Sequence, residues 1–150
     1  RMSKQRHQNV PASYLVLFQN DHVLLLRRNN TGYEDGNYSL VAGHVESGEN
    51  FTECVIREAK EEAGITVHPD HLHVVHVMHR NSRESEYNER VDVFFTATKW
   101  DGSPINKEPH KCDDISWFHV HNLPENTIPY IRQAIESIHK KYFYSEHGWK

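Results

Sequence analysis

Glu61 and Glu62 follow Glu58 by three and four residues within the segment GHVESGENFTECVIREAKEEAGI, residues 43–65. On a helix, that spacing puts three carboxylates on one face within reach of each other. Like charges so placed are destabilising by about 0.2–0.5 kcal/mol per pair. A bound divalent cation is the obvious compensation. Ligands that are all oxygen suit a hard ion, Mg²⁺ or Mn²⁺, rather than zinc. Taken alone, EAKEEA is also what a solvated acidic face on a surface helix looks like.

The helix that must carry these groups is legible. Phe51, Val55, Ile56, Ala59 and Ala63 recur at helical spacing and form an apolar stripe. Gly43 and Gly48 bracket a tight loop before it, and Gly64 stands where a left-handed C-terminal cap belongs. Glu53 precedes Arg57 by four residues, a spacing that can hold the guanidinium.

The rest of the chain sets the frame. A length of 150 residues is one domain's worth, enough to bury a sizeable core. The net charge of −4, with histidine neutral, offers no basic excess for a nucleic-acid backbone, so no nucleic-acid partner is expected. Cys54 and Cys112 match no zinc or redox spacing and read as reduced thiols of a cytoplasmic protein. No apolar run approaches membrane-helix length, and no signal peptide is visible. Of the 13 histidines, His68, His71, His73, His76 and His79 form no HExxH or similar cluster.

In chain order, residues 1–9 are polar and read as a disordered tail, with the domain spanning 10–142 and a fraying tail at 143–150. Residues 10–18 read as a buried strand whose hairpin partner is 22–28, ending in Arg27 and Arg28, which can reach phosphates. A turn-rich loop, 29–37, follows. Tyr33 and Tyr38 flank it, placed either to cover a substrate ring or simply to pack the loop. Residues 38–41 form a short strand. Residues 65–79 read as one or two strands, 81–90 as a mobile loop and 90–100 as a strand. A polar loop at 106–114 precedes a strand at 115–120, and a helix covers about 128–142 with Ile128, Ile131, Ile135 and Ile138 as its core stripe. Strands before and after one strong helix indicate an α/β fold.

Residues 43–65 resemble the Nudix box at every fixed position: Gly43, Glu49, Arg57, Glu58, Glu61, Glu62 and Gly64, with Ala59 and Ile65 in the aliphatic slots. Ala59 is small for its slot. A 23-residue pattern with seven fixed identities is specific. The resemblance implies the Nudix α/β/α sandwich, a mixed β-sheet between helices. It also implies metal-dependent hydrolysis of a nucleoside diphosphate linked to another group, in which phosphoryl charge must be stabilised.

By the same resemblance, Glu58 and Glu62 are direct metal ligands, and Glu61 binds a second ion or orients water. The Ala42 carbonyl is a further ligand, although Val41-Ala42-Gly43 stands where many members have Pro-Gly-Gly. Arg57 holds a metal-binding glutamate in position, with Gly43 and Glu49 supporting the site. The general base varies in the family. Glu108 is the leading candidate, because Glu-Pro-x-Lys-Cys followed by Trp-Phe resembles triphosphate-cleaving members. Glu86 and Glu89 compete with it, and Glu61 is the fallback. Trp117 and Phe118 either contact a base or belong to the core.

The expected substrate is a nucleoside triphosphate, canonical or oxidised, cleaved to monophosphate and pyrophosphate. ADP-ribose or nucleotide-sugar hydrolysis is the alternative, and a catalytically dead nucleotide-binding module is a different class. RNA decapping is disfavoured by the acidic balance. Either a monomer or a homodimer fits, with no membrane partner.

Overall fold

The computed structural model describes residues 4–84 and 88–150. Among the described residues, nine strands and two α-helices follow in the order β1 (Val10–Leu15), β2 (Phe18–Gln19), β3 (His22–Arg28), β4 (Tyr38–Ser39), β5 (Val41–His44), α1 (Phe51–Ala63), β6 (Leu72–Asn81), β7 (Glu89–Ala97), β8 (Cys112–His119), α2 (Pro129–His139) and β9 (Tyr144–His147). The strands form two sheets rather than one. A mixed five-stranded sheet runs β5-β1-β7-β6-β9, with β1 parallel to β7 and β6 parallel to β9. The second sheet is centred on β3, which pairs antiparallel with β2, β4 and β8.

Strand alternation explains the layering. Along β1 and just past it, Ala12, Tyr14 and Val16 point into the core under α2, with Ile131, Ala134 and Ile135. Leu15 and Leu17 point the other way, into the core under α1, with Val55, Ala59 and Ala63. β3 does the same, Val23 and Leu25 facing one side and Leu24 and Leu26 the other. A strand with both faces covered must be apolar at successive positions, which is why both segments read as continuous apolar runs.

Residues 10–18 are therefore not one strand with β3 as hairpin partner. The chain leaves the first sheet after Leu15 and joins the second at Phe18, so only Phe18 and Gln19 pair with β3. Trp117 and Phe118 sit on opposite faces of β8 and pack against the two cores. Among the described residues no helix is long and apolar enough to cross a membrane.

The C-terminal segment, expected to fray, instead adds strand β9 to the sheet edge. His76 explains its order. The ring is fully buried; Nδ1–H donates to the Tyr142 carbonyl at 2.7 Å, and Nε2 accepts from the Ser145 hydroxyl at 2.7 Å. The Tyr142 carbonyl can only accept, which fixes a proton on Nδ1, so in the neutral ring Nε2 accepts from Ser145. Burial holds the His76 pKa below the ordinary 6.5. The unfolded chain therefore binds this proton at higher pH than the folded chain does. The stabilisation is complete above about pH 6.5 and declines as pH falls through the folded pKa. Amide protection factors at residues 144–147 are expected to fall on acidification before those in β7 do, and His76→Leu should abolish that pH dependence. Unchanged β9 protection at low pH would contradict this role for His76.

Candidate active site

Asn50 and Glu53 start α1 with a reciprocal capping box: Asn50 Oδ1 accepts from Glu53 N at 2.7 Å and Glu53 Oε1 accepts from Asn50 N at 3.0 Å. Glu53 is thereby committed to the cap and does not hold Arg57 as its spacing suggested. Gly64 ends the helix at φ 69°, in the left-handed region. Between these caps the stripe of Val55, Ala59 and Ala63 is fully buried, and Glu58, Glu61 and Glu62 lie along its flank, facing the cleft.

Arg57 is held by Glu49. Its Nε donates to Glu49 Oε2 at 2.7 Å and Nη2 to Oε1 at 3.0 Å, the two-pronged geometry that favours arginine over lysine. Nη1 then reaches Glu58 at 3.2 Å and Glu61 at 3.4 Å. Those Arg57 hydrogen bonds pull the Glu49 pKa down to about 2. Arg57 is absent from the lining of the neighbouring cleft and acts on it through the glutamates it touches.

That cleft, of about 480 Å³, is lined by Glu58, Glu61, Glu62 and Glu108 together with Arg27, Arg28, Lys111, Ala42, Gly43 and His44. Five segments meet there. β5 lies against α1 and brings Ala42 to Glu62, whose Oε1 accepts the Ala42 N–H at 3.0 Å. The antiparallel pairing of β3 with β8 carries Arg27 and Arg28 beside the loop of Glu108 and Lys111, where Asn29 N–H meets the Lys111 carbonyl at 2.9 Å. The 29–37 loop closes one side. Asp35 braces it by accepting from the Thr31 hydroxyl at 2.6 Å and the Gly32 N–H at 2.9 Å.

The electrostatics are those of a site short of positive charge. Burial pushes the Glu58 pKa up to about 7 against the lowering pull of Arg57, and Glu61 adds to the rise. Glu62 is pushed well above its usual range by burial and then by the Glu58 charge, with Glu108 adding to it. Among the described residues no three acidic, histidine or cysteine side chains are already closed around one ion. What stands ready is an all-oxygen donor set with excess negative charge, which fits a hard divalent cation. Gly43 belongs to the same arrangement. A Cβ there would lie 1.7 Å from Glu58 Oε2, so only glycine leaves this carboxylate its position.

The remaining candidates divide. Arg27 lines the cleft with its Nε on Asp113 at 2.7 Å, and Arg28 lines it with Nε on the Tyr33 carbonyl at 2.7 Å and Nη2 on Thr31 Oγ1 at 3.0 Å. Tyr33 and Tyr38 do not line it. Tyr38 is buried, donates to Asp114 at 2.5 Å and has its pKa raised to about 12 by burial and that bond. Tyr33 packs beneath the Arg28 guanidinium, 5.3 Å from ring centre, and borders a separate hollow with Tyr130. Glu89 is occupied by His7 at 2.8 Å, away from the cleft, and Glu86 lies outside the described residues.

Lys111 and His44 line the cleft but were not singled out from the sequence as site residues. Lys111 carried a signal, standing three residues after Glu108 in the same loop. His44 carried none: its Nε2 accepts from Arg90 at 3.0 Å, a contact made across β1. Burial and then the Arg90 charge hold the His44 pKa below the usual value.

Gly43→Ala is expected to displace Glu58 and cut turnover by about tenfold or more, with Tm lowered only slightly because the displaced group is a side-chain end. Arg57→Lys should lose the paired contact to Glu49, costing about 1–2 kcal/mol of stability and most of the activity. Full activity in both variants would contradict the positioning of Glu58 described above.

Known proteins place this geometry in context. The NUDIX domain pattern matches residues 8–138. A protein named NAD-capped RNA hydrolase NudC, from Stutzerimonas stutzeri (strain A1501), is 32% identical over 120 residues, covering 80% of this chain and 40% of that protein. The chain thus spans about two-fifths of the length of such relatives. Among solved structures, a MutT NUDIX hydrolase from Burkholderia pseudomallei superposes with TM-score 0.77 at 24% identity, covering 87% of this chain and 98% of that one. An ADP-ribose pyrophosphatase from Streptococcus suis 89-1591 gives TM-score 0.61 at 16% identity, covering 93% and 98%.

Proposed function

The chain belongs to the NUDIX family of hydrolases, and from that premise we propose that it cleaves the pyrophosphate of a nucleoside triphosphate, releasing monophosphate and pyrophosphate. The observation that carries this reading is the convergence of Glu58, Glu61, Glu62 and Glu108 with Arg27, Arg28 and Lys111 on one cleft. The cations suit a polyphosphate chain, and the carboxylates suit the metal ions that such a chain brings or requires.

Glu58, Glu62 and the Ala42 carbonyl would hold Mg²⁺ or Mn²⁺, and Glu61 would hold a second ion or orient the attacking water. Bound there, the ions would neutralise phosphate charge and acidify water. Arg57, anchored on Glu49, keeps Glu58 and Glu61 in place. Arg27, Arg28 and Lys111 orient the phosphates so that the scissile phosphorus faces the glutamates. Glu108 takes the proton from the attacking water; its place on the cleft favours it over Glu89, which is engaged by His7. Water adds to phosphorus as the P–O bond to the leaving phosphate breaks.

A second reading is favoured by one observation, the 32% identity to a protein named NAD-capped RNA hydrolase. In it the substrate is a dinucleotide pyrophosphate, free or at an RNA 5′ end, cleaved to two monophosphates. The same glutamates would serve, and the expectation of no nucleic-acid partner would fall.

Incubation with Mg²⁺ and a panel of canonical and oxidised triphosphates, ADP-ribose, nucleotide sugars, NADH and NAD-capped RNA discriminates these readings. Pyrophosphate from one triphosphate is the expected product. Turnover confined to dinucleotides or ADP-ribose would move the protein to the second reading or its ADP-ribose counterpart. Glu62→Gln should lose most turnover with the fold retained, and Glu108→Gln should lose about a hundredfold. An unaffected Glu62→Gln would defeat the metal assignment.

A further inference from the structure

The segment that carries Glu108 docks on the C-terminal turn of α1. The last carbonyls of a helix have no partner within it, and this segment supplies two. Ile105 N–H donates to the Ala63 carbonyl at 3.0 Å, and Lys107 N–H donates to the Glu62 carbonyl at 3.3 Å. The packing is close: a Cβ at Gly64 would lie 3.0 Å from Lys107 Cγ. The loop is thereby set in register with the helix residue that presents the Glu62 carboxylate to the cleft.

Asn106 stands between those two anchors, and its side chain ties the two ends of the loop together. Nδ2 donates to the Cys112 carbonyl at 2.7 Å, and Oδ1 accepts from the Glu108 N–H at 3.1 Å. A carbonyl can only accept and an N–H can only donate, so the orientation of the amide is fixed. The second bond is the turn that asparagine makes with the residue two positions on. The Glu108 carbonyl is held too, accepting from Lys111 N–H at 2.8 Å and Cys112 N–H at 2.9 Å. Pro109 disfavours helical conformations of the residue before it, which restricts the Glu108 backbone further. The Glu108 backbone is therefore constrained from both sides. Its carboxylate, by contrast, makes no hydrogen bond or ion pair among the described residues. A fixed backbone with an unengaged carboxylate on the cleft is what a proton acceptor requires. Asn106 itself does not line the cleft.

We propose that Asn106 is a positioning residue for the hydrolysis: by bridging the Glu108 N–H and the Cys112 carbonyl, it holds Glu108 where its carboxylate takes the proton of the attacking water. This rests on the assignment of Glu108 as general base made above.

The test uses the whole chain with Mg²⁺ and whichever substrate of the panel turns over fastest. Asn106→Ala, a change at a half-buried loop position, is expected to lower kcat by about tenfold with Tm little changed, because turnover depends steeply on the placement of the base. In the Glu108→Gln background the same substitution should lower kcat by less than about twofold, since groups that act as a unit are not additive. Asn106→Ser should recover part of the loss, its hydroxyl making the same turn more weakly. Independently of turnover, hydrogen exchange at the Glu108 amide should be faster in Asn106→Ala than in the parent. An undiminished loss in the Glu108→Gln background, or an unchanged kcat in Asn106→Ala, would overturn the proposal while leaving Glu108 as the base. Full turnover in Glu108→Gln itself would defeat the general-base assignment, and the role of Asn106 with it.

Discussion

The constraint on which the site depends is the charge of α1. Glu58, Glu61 and Glu62 share a helical face, and two of them are pressed into surroundings that raise their pKa values. One guanidinium bonds directly to these carboxylates, while Arg27, Arg28 and Lys111 line the cleft they face. Arg57 spends its stronger contacts on Glu49, at 2.7 and 3.0 Å, and its longer ones on Glu58 and Glu61. The result is order without neutralisation. The carboxylates are held in place, and negative charge is left facing the cleft.

The scaffold serves this arrangement through covered strands. β1 carries α1 on one face and the α2 core on the other, so neither helix can shift without opening a core. β5 pairs with β1 and packs on α1, which fixes the Ala42 N–H against Glu62 and the Gly43 backbone against Glu58. Deep burial beneath α1 is thus transmitted to the carboxylates through short, stiff connections. The opposite side of the cleft is built differently. Arg28 and the 29–37 loop depend on local hydrogen bonds among Thr31, Tyr33 and Asp35, the kind of structure that varies between relatives sharing a fold.

The sequence by itself determined helix α1: its apolar stripe, its Gly64 cap and its three glutamates follow from spacing within 23 contiguous residues, where helical geometry leaves little freedom. Most strands were legible for the same local reason, although β6 begins at Leu72 rather than at residue 65 and β9 was not read at all. Pairing was not, because an apolar run covered on both faces carries no mark of its neighbours. The change of sheet between Leu15 and Phe18, the β9 edge held by His76, and the passage of Arg57 from Glu53 to Glu49 are all contacts between distant or competing groups. Glu53 is four residues from Arg57, as Glu61 is, yet the capping box claims it first. Only the tertiary structure decided that Tyr38 belongs to the core and that His44 and Lys111 belong to the cleft, because burial and proximity are set by how the strands pack and not by where the residues fall along the chain.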